Sequence, residues 1–293
     1  MFGEGSVVVC MDEDGLAMDA FREAMGLGAL LKQPVHAVHV VDTAPFFSVL
    51  GALDLRSLVR PTLERHLTTW TAGGLPEGAS QPELEVLLGN PVKVLLGRAR
   101  QLKASMIVVG GHPPRRLGGR ALGATAQRLV RAADRPVLVR RGTPSGGAIL
   151  VPVDLSAESV VALEMGVRLA KLREVPLITL YVRPNDNHSW LGGADVAAEL
   201  SAHQSRQHEA YVALVQYVAG EIGPRVMYER GEPRTVIAEL AAAETVDLIV
   251  MGTHGHTGLA RWSLGSVTEH ILSRTELSVL AVKEADRGFL LDT

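Results

Sequence analysis

The strongest constraint on this chain is that it is written twice. Residues offset by 142 positions match at landmarks spread over more than a hundred residues. Val7-Val8-Val9-Cys10-Met11-Asp12 falls on Ile149-Leu150-Val151-Pro152-Val153-Asp154, and Gly89-Asn90-Pro91 on Gly231-Glu232-Pro233. Met106-Ile107-Val108-Val109-Gly110 falls on Leu248-Ile249-Val250-Met251-Gly252, and Leu122-Gly123 on Leu264-Gly265. A period this long describes a duplicated domain, not a solenoid of short repeats. The seam is Gly142-Thr143-Pro144-Ser145-Gly146-Gly147, a short polar linker by composition. The expected domains are therefore 1–142 and 148–293.

Each copy reads as alternating strands and helices. In the second, Ile149–Val153 is a short branched apolar run, the pattern of a strand buried on both faces. Val160, Leu163, Val167 and Ala170 then recur at helical spacing, with Ser156 as the expected N-cap. Strands follow at 176–182, 225–229, 247–251 and 278–283. Helices lie between them, over roughly 196–221, from Pro233 onward, and over 265–273. That order predicts an α/β fold: two tandem doubly wound, five-stranded parallel-sheet domains with right-handed crossovers. Ligands bind such sheets at the carboxyl ends of strands, where strand order reverses. With the first strand beside the fourth, Asp154 and Gly252 end at one crevice.

Composition removes whole classes of function. Of 293 residues 47% are hydrophobic and 21% charged, which excludes a disordered chain. A net charge of -3 carries no polyanion-binding signature, and 4% aromatics offer no stacking platform, so nucleic acid is not an expected partner. One cysteine, Cys10, excludes an internal disulfide framework and reads as an inert core thiol in a reducing compartment. No apolar run is long enough for a membrane span, and the N-terminal stretch lacks a basic segment before its apolar run. The expected location is cytoplasmic.

The chemistry concentrates between the fourth strand and the next helix of the second copy. Met251-Gly252-Thr253-His254-Gly255 is followed, after nine residues, by Gly265-Ser266-Val267-Thr268. Glycines there let a ligand approach the backbone, and a helix start presents N–H groups and a dipole to an anion. Ser266 and Thr268 would add hydroxyl donors. The loop has no lysine, so it is not a Walker A loop. His254, His256 and His270 are close in sequence but lack the geometry-defining spacing of a metal site. Also in the loop, Arg261 reads as a residue that could reach a terminal phosphate and Trp262 as a lid or interface residue, both being exposed-loop residues by default.

The spacing Gly252-x2-Gly255-x9-Gly265-Ser266 resembles the ATP-binding signature of the universal stress protein family. The likeness extends over both copies, through Val151-Pro152-Val153-Asp154, Leu180-Tyr181-Val182 and Gly231-Glu232-Pro233. The resemblance implies ATP at the strand ends. By position, Pro152, Val153, Asp154 and Val182 would surround adenine and ribose. Gly252, His254, Gly255, Gly265, Ser266, Val267 and Thr268 would hold the phosphates, with Met251 packed nearby. Asp154 is also placed to help hold magnesium on the phosphates.

The first copy departs from this pattern. Pro113 stands for Gly255, removing an N–H and fixing φ; Ala124 stands for Ser266, and Cys10 for Pro152. The expected protein is asymmetric, with ATP mainly in the second domain. It reads as a nucleotide-responsive regulator of the stress response rather than an enzyme, no catalytic base being evident. A slow ATPase or autophosphorylating enzyme, and a scaffold for another small molecule, are the alternatives. The last strand of each copy, 137–141 and 278–283, should lie at a sheet edge and need cover. The family resemblance implies pairing through that strand, giving a homodimer or an intrachain pseudo-dimer.

Overall fold

The computed structural model describes residues 5–12, 15–43, 55–75, 81–111, 123–142, 144–185, 194–254 and 264–289. The chain divides into two compact units: residues 1–143 with 272–293, and residues 144–271.

In the first unit, β1 (Val7–Met11), β2 (Val35–Val41), β3 (Glu83–Leu88), β4 (Met106–Gly110) and β5 (Val137–Arg140) are parallel neighbours in the order 3-2-1-4-5. Helices α1 (Gly15–Leu31), α2 (Leu55–Ala72), α3 (Pro91–Gln101) and α4 (Ala124–Ala132) are the crossovers. Val7, Val8 and Val9 are fully buried, as a strand covered by helices on both faces requires. The expected pairing of first and fourth strands is present, Val7 opposite Met106.

The second unit repeats the plan with β6 (Ala148–Pro152), β7 (Leu177–Arg183), β8 (Arg225–Arg230) and β9 (Val246–Gly252) in the order 9-6-7-8, all parallel. Its helices are α5 (Ala157–Arg173), α6 (Ala194–Ala219), α7 (Pro233–Ala243) and α8 (Ser266–Arg274), the last running past the unit boundary. Ser156 caps α5 as expected, its hydroxyl accepting from the Ser159 N–H, and Pro233 opens α7. On α6, Tyr211 and Val215 are buried. The Tyr211 hydroxyl donates to Thr179 Oγ1 at 2.8 Å, and burial pushes its pKa up to about 12.

Sequence repeat and compact unit are different divisions. β10 (Ser278–Val282), the last strand of the second copy, pairs antiparallel with β5, Leu280 opposite Leu138, and so groups with the first unit. The edge of β5 expected to need cover is covered by that strand. The linker is also anchored. The Asp247 carboxylate accepts from the Ser145 N–H at 2.7 Å, the Ser145 hydroxyl at 2.8 Å and the Gly147 N–H at 2.7 Å. Burial alone would raise this carboxyl, but those donors outweigh it and hold it below the ordinary value. Among the described residues no helix is long and apolar enough to cross a membrane.

Candidate functional site

The site is built where β6 and β9, adjacent and parallel, reach their carboxyl ends. Pro152 closes β6 and is half-buried; Val153 is buried, and its N–H donates to the Leu180 carbonyl at 2.8 Å. That amide belongs to the strand ladder, so an adenine edge at Val153 would have to be read by other groups. Val182 lies half-buried near the end of β7. Asp154 Oδ1 accepts from the Ser156 N–H at 3.0 Å and the Ser156 hydroxyl at 2.5 Å. Between them Leu155 sits at φ 66°, in the left-handed region that branched and bulky side chains avoid. The turn into α5 is therefore held by side-chain hydrogen bonds rather than by an easy backbone.

Met251 is buried under the end of β9. Gly252 has a specific steric reason: an added Cβ would stand 2.8 Å from Glu158 Cβ on the first turn of α5. Gly265 is tight but less so: a Cβ there would meet the Thr253 carbonyl oxygen at 3.0 Å. The Gly265 N–H donates to that carbonyl at 2.7 Å, and the Thr268 hydroxyl donates to the Gly252 carbonyl at 2.7 Å. These two bonds clamp the start of α8 onto the end of β9. They also revise the expected donor set: the Gly265 amide and the Thr268 hydroxyl are spent on the clamp. The first intrahelical bond of α8 is Glu269 N–H to the Gly265 carbonyl at 2.8 Å. The helix geometry therefore leaves the amides of Ser266, Val267 and Thr268 without an intrahelical acceptor. Ser266 is exposed, Val267 half-buried and Thr268 buried.

Glu158 is the residue that sequence reasoning missed. Its Oε2 accepts from the His254 N–H at 2.5 Å and from the Thr253 hydroxyl at 3.2 Å; its Oε1 lies 3.2 Å from His254 Nδ1. A carboxylate thus already holds the amide expected to meet a phosphate. The only signal was Glu158 in the first turn of α5, six residues after the strand end, and nothing in sequence ties it to a position 96 residues away. His254 Nε2 is buried with no hydrogen-bond partner among the described residues. Gly255, Arg261 and Trp262 lie outside the described residues.

The residues present fit a triphosphate in part. Gly252 and Gly265 leave a neck free of side chains, the start of α8 offers three amides, and His254 Nε2 is buried with no partner among the described residues. The Glu158 charge opposes it. For magnesium, Asp154 is the acidic group at the strand end, with one oxygen already hydrogen-bonded.

The first copy keeps a cleft at the corresponding place, about 260 Å³, lined by Cys10, Asp12, His39, Gly110, Gly123 and Thr125 among others. Cys10 is half-exposed there rather than packed in the core. Its chemistry differs from that of the second copy. His39 stands at the position of Tyr181 and donates from Nδ1 to the Met11 carbonyl at 3.0 Å. Gly123 caps α4 without a side-chain bond.

Comparison with known proteins gives one consistent result. The model of the Universal stress protein family matches twice, over residues 5–141 and 147–283. A universal stress protein of Methanocaldococcus jannaschii is 31% identical over 152 residues, covering 50% of this chain and 88% of that protein. One of Mycobacterium tuberculosis H37Rv is 29% identical over 226 residues, covering 70% of this chain and 66% of the relative, just under two thirds of its length. Two solved structures superpose over nearly the whole chain. A putative universal stress protein of Pseudomonas aeruginosa has a TM-score of 0.67 at 18% identity, covering 98% of this chain and 97% of the other. One from Archaeoglobus fulgidus has a TM-score of 0.67 at 18% identity, covering 97% and 100%. At that identity the structural likeness speaks to the fold.

Proposed function

Because this chain belongs to the universal stress protein family, as a tandem of two copies, we propose that it binds ATP mainly in its second copy and acts as a nucleotide-responsive regulator of the stress response. The observation that carries this reading is the clamp of α8 on β9. Gly265 to Thr253 and Thr268 to Gly252 fix the start of α8, with the amides of Ser266, Val267 and Thr268, at the end of β9, two residues before His254, whose buried Nε2 has no partner among the described residues. Such a start-of-helix cradle favours an anion through both its N–H groups and the helix dipole. Asp154 is the ribose acceptor and the group through which magnesium would be steadied. Val153, Pro152 and Val182 supply the apolar wall for the base.

Regulation is preferred to catalysis on chemistry. Phosphoryl transfer needs an oriented nucleophile and concentrated positive charge. The charged side chain that holds the described part of the loop is an acid, Glu158. ATP that binds the folded state alone stabilises it and biases its conformation, which is all a ligand-gated regulator requires. Pairing of two chains, and a cytoplasmic setting, belong to the same reading.

The test is mass spectrometry of nucleotide retained by freshly purified protein, with calorimetric titration of ATP into stripped protein. One ATP per chain, retained unhydrolysed over hours, is the expected result. Failure to bind at millimolar ATP overturns the reading. Steady phosphate release that a Gly265 substitution abolishes would move it to the slow-enzyme alternative.

A further inference from the structure

Away from the strand ends, the first unit carries a cluster that neither the repeat nor the proposed nucleotide site explains. His36 on β2 is directly opposite Glu83 on β3 in the register, and Glu85 follows on the same face of the same strand. His36 is 5% exposed, yet its Nδ1 has no hydrogen-bond partner among the described residues. That nitrogen lies 3.2 Å from Glu83 Oε2 and 3.7 Å from Glu85 Oε1, and the three candidate donor atoms are all within 4.8 Å of one another. The atoms are close enough to bond but are not aligned to do so. A buried polar nitrogen left unsatisfied among anionic oxygens is costly.

We propose that His36, Glu83 and Glu85 form a divalent transition-metal site, suited to zinc, that clasps edge strand β3 to β2. One imidazole nitrogen and two carboxylates are ordinary zinc donors. At bond lengths of about 2.0–2.2 Å, tetrahedral donors stand about 3.4 Å apart, which the two His36 separations already approximate. Glu83 is largely exposed, leaving an entry path and a place for water as fourth ligand. Arg98 on α3 acts as a positioning residue. Its Nε reaches Glu85 Oε2 at 2.7 Å and its Nη2 reaches Oε1 at 2.6 Å, fixing the carboxylate as outer partners of metal ligands do.

The second copy supplies an internal control. The positions matching His36, Glu83, Glu85 and Arg98 are Ile178, Arg225, Met227 and Leu240, and Ile178 pairs with Arg225 in the same register. The same backbone thus does without the cluster, and all four side chains differ together. A buried histidine is not something this sheet position needs for folding.

The test uses the full chain, stripped with a chelator and titrated with Zn²⁺ against a chromophoric competitor, with Co²⁺ as a spectroscopic probe. Glu83→Gln alters an exposed side chain and spares the fold; His36→Ala, checked by circular dichroism, removes the nitrogen. Because other histidines bind zinc weakly, the readout is the difference between wild type and variants. We expect one tight equivalent in the wild type, weakened about 10–100-fold or more in each variant, with the Co²⁺ ligand-field bands lost. A thermal midpoint that zinc raises in the wild type but not in Glu83→Gln is expected as well. Equal zinc affinity in wild type and Glu83→Gln, or no tight equivalent in the wild type, overturns the site and leaves an ion-pair network only.

Discussion

The Glu158 carboxylate accepts the His254 amide proton at 2.5 Å, across 96 residues of sequence, and so sits where an incoming phosphate would seek the same donor. The second copy's loop is held by an internal anion. Binding of ATP must either displace that carboxylate or arrange its phosphates around it, and in both cases the negative charge works against the ligand.

Glu158→Gln should therefore tighten ATP binding. The amide group can still accept from the His254 N–H, so the loop keeps its anchor while the charge is removed. An improvement of about tenfold, roughly 1–2 kcal/mol, is expected for one charge at this range in a partly solvated site. Titration calorimetry at fixed ionic strength measures it. Affinity that is unchanged or lower would show that Glu158 serves the site rather than opposing it.

Asp247→Asn should loosen the linker in a pH-dependent way. The carboxyl is held below its ordinary value, so its stabilising effect is complete above the ordinary carboxylate range and is lost as pH falls through the lowered value. At pH 7 the variant should be less stable by about 1 kcal/mol, since the amide replaces a charged acceptor of three donors. The gap should begin to close below about pH 4, the ordinary carboxylate value, and vanish only below the lowered folded value. Thermal melts across that range check the sign; a gap that widens in acid would contradict it.

Arg141→Ala should be strongly destabilising although it touches no candidate ligand. The buried guanidinium donates to the Leu272 carbonyl at 2.7 Å and to the Thr275 carbonyl at 3.0 Å, meeting the C-terminal end of α8. Burial lowers its pKa to about 10, so it remains cationic at neutral pH, where a helix C-terminus favours it. Truncation strands two acceptors and opens a cavity, for an expected loss of about 2–4 kcal/mol in denaturant midpoints. A loss below about 0.5 kcal/mol, the range of ordinary surface changes, would mean that water replaces it.

The duplication and the strand–helix alternation were legible in the sequence because they rest on local patterns repeated at a fixed offset. Ile149–Val153 reads as a strand covered on both faces, and Ile149, Leu150, Val151 and Val153 are buried as such. Ser156 reads as a cap and is one. The glycines at 252 and 265 were legible as positions where a side chain would intrude, though what it would meet was not. The sequence suggested ligand; the structure shows the first turn of α5 and the Thr253 carbonyl.

What the tertiary structure alone decided was which groups are already used. Gly265 and Thr268 spend donors on the clamp, and Glu158 occupies an amide. His36 meets Glu83 only through parallel strand register, 47 residues apart in sequence. Pattern and periodicity report the free-energy preferences of neighbours along the chain. Competition for a hydrogen bond is settled in three dimensions, between groups whose separation in sequence carries no trace of the contact.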